Sequence, residues 1–334
     1  MLLYATRRLA GAIPVLIVVA AVVFTLMQFA PGDAVSMLIS DEASDADKAR
    51  IREAWGLDDP PLMQFLNFLG NAVTGDFGTS FKYKMPVMEL VLERLPATIE
   101  LALAATLVAV AIGIPLGVLA AARPGSLWDS LASTFSFAGI SMPNFWIGIL
   151  LILLFAGHWH LLPSGGRAPW GMGVEPITGF LLLDTLIQGR LDAFWGALKH
   201  LALPALVLGT NMTGIITQLT RASVQEALHE DYVMTARAKG LGGMRILWRH
   251  AFRNALVGVV TIIGLEFGAL LSGAMIVETV FAWPGIGSLL IQGISSRDYP
   301  LIIGLVLIYT AIFILVNLLI DLLYTLVDPR IRIN

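Results

Sequence analysis

Charged side chains are scarce in this sequence, and one charged stretch lies between two long apolar segments. From Arg221 to Asn254 it reads RASVQEALHEDYVMTARAKGLGGMRILWRHAFRN. Its centre predicts a short amphipathic helix over 231–239. Glu230 and Asp231 stand at the start, where carboxylates meet free backbone N–H groups. Arg237 and Lys239 stand at the end, where cations meet free carbonyls, and Gly240 can supply the left-handed turn that stops a helix. A second helix is expected after Gly242-Gly243, with Arg245, Arg249 and Arg253 four apart on one face. The chemistry this pattern supports is recognition rather than bond-making. A loop that only fixed membrane orientation would need basic residues but neither this length nor this order. The stretch reads as a docking element for a soluble partner, with Glu226, Asp231, Ala236, Arg237, Gly240, Arg245 and Arg249 as its candidate residues.

Other chemistry is poorly represented. No G-x-x-x-x-G-K-[ST] occurs, so the chain has no P-loop to cradle nucleotide phosphates, and Gly285-Ile-Gly287 lacks the third glycine of a dinucleotide turn. No serine, histidine and acid fall into a nucleophile–base pattern, so no catalytic residue is assigned. The absence of cysteine excludes disulfides, thiolate nucleophiles and Cys-ligated metals. His158 and His160 flank Trp159, which suits an interfacial anchor better than a metal site. The expectation is therefore no cofactor and no metal in this chain, and nothing points to nucleic acid. What remains is buried polarity. Glu266 falls in the middle of an apolar segment, where a lipid-facing carboxylate costs about 2.5–3.5 kcal/mol on insertion scales. It should face a partner helix or a wet pathway. Asn317 and Asp321, one turn apart, are expected to cross-link helices, with a minor share for transport. Glu100 and Glu278 are placed near helix ends, solvated or locally paired. Trp283, before Pro284-Gly285, reads as an interfacial anchor.

The elements that must position these residues are membrane helices. The chain is 57% hydrophobic and only 13% charged, with a mean hydropathy of +0.80; soluble domains carry about 25% charge. Six apolar segments are long enough to cross a bilayer: 9–30, 97–122, 131–157, 201–221, 254–278 and 301–327. Residues 177–187 are too short and are expected as a surface helix. The organisation expected is an N-terminal transmembrane helix over 1–30, an acid-rich external helical subdomain over 31–96, and a five-helix core over 97–334. The core contains the loop 222–253. The short segments 1–8, 123–130, 222–253 and 328–334 hold ten Lys/Arg. The short outer segments hold Arg167, Arg190, Lys199 and Arg297, the long 31–96 being exempt from the count, which puts both termini in the cytoplasm. Gly113, Gly117, Gly264, Gly268 and Gly273 are read as close helix contacts.

The residues also carry a resemblance. DYVMTARAKGL followed by RHAFRNAL resembles the cytoplasmic coupling loop of binding-protein-dependent ABC importer permeases, in the peptide (dipeptide/oligopeptide/nickel) branch. Aligning on Gly240 retains Ala236 and Gly240 of the general family pattern; the Glu and Pro of the sugar branches are missing. Other blocks follow in family order: RRLAGAIPVL, GDFGTSF with ERLPATIELALAATL, GISMPNFWIGILLILLF, HLALPALVLG, VETVFAWPGIGSLL, RDYPLIIG and NLLIDLLYTLVDPRIR. The resemblance implies an all-α polytopic membrane protein with six transmembrane helices in the type I importer permease fold, located in the bacterial inner membrane. It implies a translocation pathway shared with a paralogous permease and two ATPase subunits that bind ATP and Mg²⁺ and dock on the coupling loop. It also implies an external binding protein that delivers the peptide; a nickel chelate or glutathione are the other cargoes. A secondary transporter is the rival reading, and would require internal repeats and several intramembrane acids. The outer stretch 164–197 is individual to this sequence. Ser164-Gly165-Gly166-Arg167 and Trp170-Gly171-Met172-Gly173 read as a flexible arm toward the binding protein, and Ile177–Leu183 as an apolar patch folded onto the membrane face.

Overall fold

The computed structural model describes residues 2–29 and 58–327. Thirteen helices are described. The helix α1 (Leu2–Phe29) carries Pro14 and is followed by α2 (Pro61–Val73). Of the external region expected over 31–96, residues 31–57 lie outside the description. Next come α3 (Val87–Ala122), α4 (Leu127–Ser141) and α5 (Asn144–Leu151), the last prolonged as a π-helix over Ile152–His158. After α6 (Leu181–Ile187) comes α7 (Leu191–His229), then α8 (Asp231–Ala238). The short α9 (Gly243–Arg245) opens as a π-helix over Ile246–Phe252 into α10 (Arg253–Gly273). Finally α11 (Met275–Val280), α12 (Ile286–Ser295) and α13 (Tyr299–Val327) complete the chain.

Four helices are long and apolar enough to cross a membrane: α3, α7, the α9–α10 run and α13. The bent pair α4–α5, taken as one broken span, gives a fifth, and α1 is apolar over the shorter stretch Ala10–Leu26. Three expectations need correction. The segment 131–157 is not one straight span, because Met142-Pro143 breaks it and its halves diverge by 103°; proline disfavours helical backbone in the residue before it. The segment 201–221 is the core of a 39-residue helix, so 222–229 is helix rather than loop. The second span starts at Val87, so the boundary drawn between 96 and 97 falls inside a helix.

The frame is built on α3 and α7, which run parallel and nearly touch. A Cβ on Gly117 would stand 2.6 Å from Thr220 Cβ and 2.7 Å from the Thr217 carbonyl. Gly113 meets Ile216 and Gly209 meets the Ala105 carbonyl in the same way. Lipid is as apolar as leucine, so such close van der Waals packing, rather than exclusion of water, holds membrane helices together. Gly139 and Gly214 bring α4 onto α7, and Gly264 brings α10 onto Ile320 of α13.

Two apolar clusters order the end of the bundle away from α8. One gathers Leu101, Leu203, Phe281 and Trp283; the other gathers Val87, Ile286, Leu301 and Leu305. Polar groups lock both. The buried Glu278 carboxylate accepts from Thr98 Oγ1 (2.7 Å) and from the Ser288 amide at the start of α12 (2.8 Å). Trp283 Nε1 donates to the Ala97 carbonyl at 2.9 Å. Trp283 is therefore a core residue rather than an interfacial anchor, and Glu278 caps a helix rather than meeting solvent.

Candidate functional site

The charged stretch folds as a helix mounted on the end of α7. Glu230, at φ −71° and ψ 150°, turns the chain out of α7 and into α8. Asp231 occupies the first turn of α8 and Arg237 the last. At the far end Gly240 takes φ +75°. The Leu241 amide then reaches the Ala236 carbonyl (3.2 Å), and the Gly240 amide reaches that of Arg237 (2.9 Å). This pair of bonds satisfies two end carbonyls and fixes where the helix stops.

A helix of eight residues is not stable alone in water. Here Val233 and Ala236 pack against Ile246, with Leu228 and Leu241 around them. That settles the roles along α8. Ala236 is only 6% exposed, so it belongs to the seat of the helix and not to an outward groove contact. The outward face carries Asp231, Tyr232, Met234, Thr235 and Arg237. Sequence reasoning missed Met234 and Tyr232 as surface groups. Val233 and Ala236, three apart, were the signal for the buried side.

Arg245, Arg249 and Arg253 are all exposed, but around a π-helical segment whose Ile246, Leu247 and Ala251 are buried. Glu226 and Glu230 line a groove of about 530 Å³ between the end of α7 and the start of α10, with Ser223, Tyr232 and Asn254. Just below, Arg221 grips Asp129 through two bonds of 2.5 and 3.0 Å, fastening the start of α4 to α7. Asp129 also accepts from the Gly125 amide.

Deeper in the bundle, Glu266 is half-buried in the middle of α10, the least covered of the four long crossings. It has no hydrogen-bond or ion-pair partner among the described residues. Among the described residues Asn317 bonds within its own helix and not across to another: its Nδ2 donates to the Phe313 carbonyl at 3.0 Å. The side chain of Asp321 lies outside those described. Among the described residues, no three His, Asp or Glu side chains are grouped so as to hold a metal.

The outer stretch 164–197 is largely pinned, contrary to the flexible arm expected. Arg167 forms an ion pair with Glu100 at 2.7 Å and donates to the Gly179 carbonyl. Glu100 also accepts from the Leu182 amide. Gly166 donates to the Phe281 carbonyl, and a Cβ on Gly165 would stand 2.5 Å from that oxygen. Asp184 gathers the amides of Ile177, Thr178 and Gly179 and the Thr178 hydroxyl. Burial alone would raise the Asp184 carboxyl, but these donors together hold it below the ordinary aspartate value. Trp170 is wholly exposed between Pro169 and Gly171.

Comparison with known proteins now bears on this arrangement. Residues 113–333 match the family model of the binding-protein-dependent transport system inner membrane component, and residues 1–102 match that of its N-terminal part. The chain belongs to that family. This permease is 44% identical over 336 residues to the dipeptide transport system permease protein DppB of Escherichia coli (strain K12), covering 99% of both chains. It is 44% identical over 333 residues to the di/tripeptide transport system permease protein DppB of Pseudomonas aeruginosa (strain UCBPP-PA14), covering 99% of each. It is 40% identical over 331 residues to the oligopeptide transport system permease protein AppB of Bacillus subtilis (strain 168), covering 98% and 99%. Among solved structures it shares the fold of a chain of the MetNI methionine ABC transporter. That match has a TM-score of 0.50 at 17% identity, over 72% of this permease and 97% of that chain. The permease is thus an all-α, multi-span inner-membrane component of an ABC importer.

Proposed function

We propose that this permease imports di- and oligopeptides, forming the pathway with a second, paralogous permease, and that α8 is where ATP hydrolysis is coupled to it. The observation that carries the coupling is the mounting of α8. A short helix has its buried face seated on Ile246, its end closed at Gly240, and a mixed apolar and charged face turned outward. Tyr232, Met234 and Arg237 on that face suit a groove on an ATPase subunit. The Glu226–Glu230 groove beside it suits a cationic side chain of the same partner.

Because α8 continues from α7, and α7 is packed on α3 along its length, movement of α8 would carry both helices as a rigid body. The Asp129–Arg221 pair would carry α4 with them. ATP and Mg²⁺ belong in this reading to two ATPase subunits, and cargo selection to an external binding protein. Both termini and α8 face the cytoplasm, in keeping with the lysine and arginine asymmetry. The relatives named for dipeptides, tripeptides and oligopeptides support peptide cargo.

The test is reconstitution of the permease pair, ATPases and binding protein in liposomes. ATP-dependent uptake of a labelled dipeptide is expected, and a cysteine at Met234 should cross-link to an ATPase subunit. Uptake without ATP, or no cross-link from position 234 in an active complex, overturns the coupling role of α8.

A further inference from the structure

Three arginines of the charged stretch have no part in the coupling just described. Arg245, Arg249 and Arg253 are exposed, and none has an ion-pair or side-chain hydrogen-bond partner among the described residues. They stand on a segment with two opposed sides. On the inner side Ile246 seats α8, while Leu247 and Ala251 join Val118 and Ala121 of α3 in one apolar cluster. On the outer side the arginines alternate with Met244, 68% exposed, and Trp248, 42% exposed. Trp248 is held edge-on against Phe252, with the ring centroids 5.3 Å apart. The segment is π-helical over Ile246–Phe252, a geometry that is rare and recurs at functional sites.

The level of this segment in the membrane follows from its neighbours. Val118 and Ala121 belong to the end of α3, which stops at Ala122 and passes to Arg123. Along the α9–α10 run, Arg253 lies eighteen residues before Leu271. At 1.5 Å per residue that is about 27 Å, nearly the whole hydrocarbon layer of about 30 Å. Arg253 therefore stands at the edge of the hydrocarbon, with Arg249 and Arg245 successively further out. Headgroups extend the bilayer by about 5–7 Å on each side, and an arginine side chain is long enough to reach back to them. Cations beside tryptophan on one face are the composition of an interfacial element. Because α8 sits on the Ile246 side, the arginines point away from the face assigned to the ATPase.

We propose that Met244, Arg245, Trp248, Arg249 and Arg253 bind the headgroup of an anionic phospholipid of the cytoplasmic leaflet, and that this lipid steadies the seat of α8. The planar guanidinium groups match phosphate oxygens in pairs, and Trp248 and Met244 settle beside the glycerol and upper acyl chain. The same segment presents Ile246 to α8, so holding the segment holds the coupling helix. The inference rests on the coupling reading above, which places α8 in the cytoplasm.

The test uses the full importer complex in phosphatidylcholine vesicles with or without phosphatidylglycerol. A photoactivatable phosphatidylglycerol is expected to cross-link within 243–253, located by mass spectrometry, and a photoactivatable phosphatidylcholine is not. Soluble glycerol phosphate should not compete; competition would mark a free-phosphate site and overturn the lipid assignment. Arg245→Gln, Arg249→Gln and Arg253→Gln should each lower the cross-link yield about fivefold, the scale of one cation near an anionic surface. Arg249→Lys should recover part of it. Phosphatidylglycerol should also tighten ATPase association with the parent complex by about fivefold, and the triple glutamine variant should lose that difference. Equal labelling by the two lipids, or labelling of the triple variant at the parent level, overturns the site. So does a triple variant whose ATPase affinity falls equally in both vesicles, which assigns the arginines to the ATPase surface. If the parent shows no ATP-driven uptake in either vesicle, the coupling reading fails instead, and the cross-link still decides the lipid site.

Discussion

Gly240 offers a quantitative handle on the coupling helix. Its φ of +75° lies where an L side chain is disfavoured, and a Cβ there would meet no atom within 4 Å. The cost of substitution is therefore purely conformational. Holding alanine in the left-handed region costs about 1 kcal/mol, or a roughly fivefold larger fraction of α8 in a frayed state. Valine, branched at Cβ, should cost about 2 kcal/mol, a roughly thirtyfold change. Asparagine tolerates this backbone and should lie close to glycine.

Gly242 is the control. Its φ is −64° and it too is open, so Gly242→Ala should be silent. The assay is hydrogen exchange of the α8 amides, paired with the affinity of the permease pair for its ATPases. The expected order is Gly240→Val weakest, then Gly240→Ala, then Gly240→Asn near wild type. If alanine and asparagine behave alike, or if exchange changes while ATPase affinity does not, then the turn at Gly240 does not set the docking surface.

The remaining expectations follow from single contacts. Ala236→Asp should unseat α8 from Ile246 and abolish ATPase association, whereas Met234→Asp should weaken association while α8 amides stay protected; equal loss of protection in both variants would refute the assignment of faces. Arg167→Gln leaves the nearly buried Glu100 without its ion-pair partner and should cost about 3 kcal/mol, read as a lower unfolding temperature in detergent, with Leu182 exchanging faster. Asp184, whose carboxyl is held below its ordinary value, contributes stability that is fully present above the unfolded value of about 3.9 and is lost as pH falls through the folded value. Protection of residues 177–179 should therefore decline under acid in the wild type, and Asp184→Asn should remove that pH dependence. Glu266→Gln should retain uptake if the carboxylate serves only as a hydrogen-bonding group, and Glu266→Leu should impair assembly or uptake; wild-type behaviour of the leucine variant would remove any partner for this residue.

The sequence by itself determined what depends on composition and on local chain chemistry. Long apolar runs leave a chain no choice but to cross lipid as helices, because backbone groups there must be satisfied internally. The stop at Gly240 was legible because a helix end needs a residue tolerant of positive φ. Close packing at Gly113 and Gly117 was legible because absent side chains let backbones meet.

What sequence alone could not decide was which side chains find each other across the fold. Ala236 looked like a contact residue because its identity matched the family pattern, and only Ile246 packed against it reveals a seat. Arg167 sits among glycines that suggest a loose arm, yet Glu100, sixty-seven residues away, holds it. Trp283 and Glu278 resembled interfacial residues until Ala97, Thr98 and Ser288 supplied partners from other helices. The break at Met142-Pro143 was present in the sequence as a proline within an apolar run. That its two halves diverge by 103° became visible only in the folded chain. Hydrophobicity places a segment in the membrane at a cost set residue by residue, whereas a buried polar group is satisfied by geometry between segments, which no local pattern encodes.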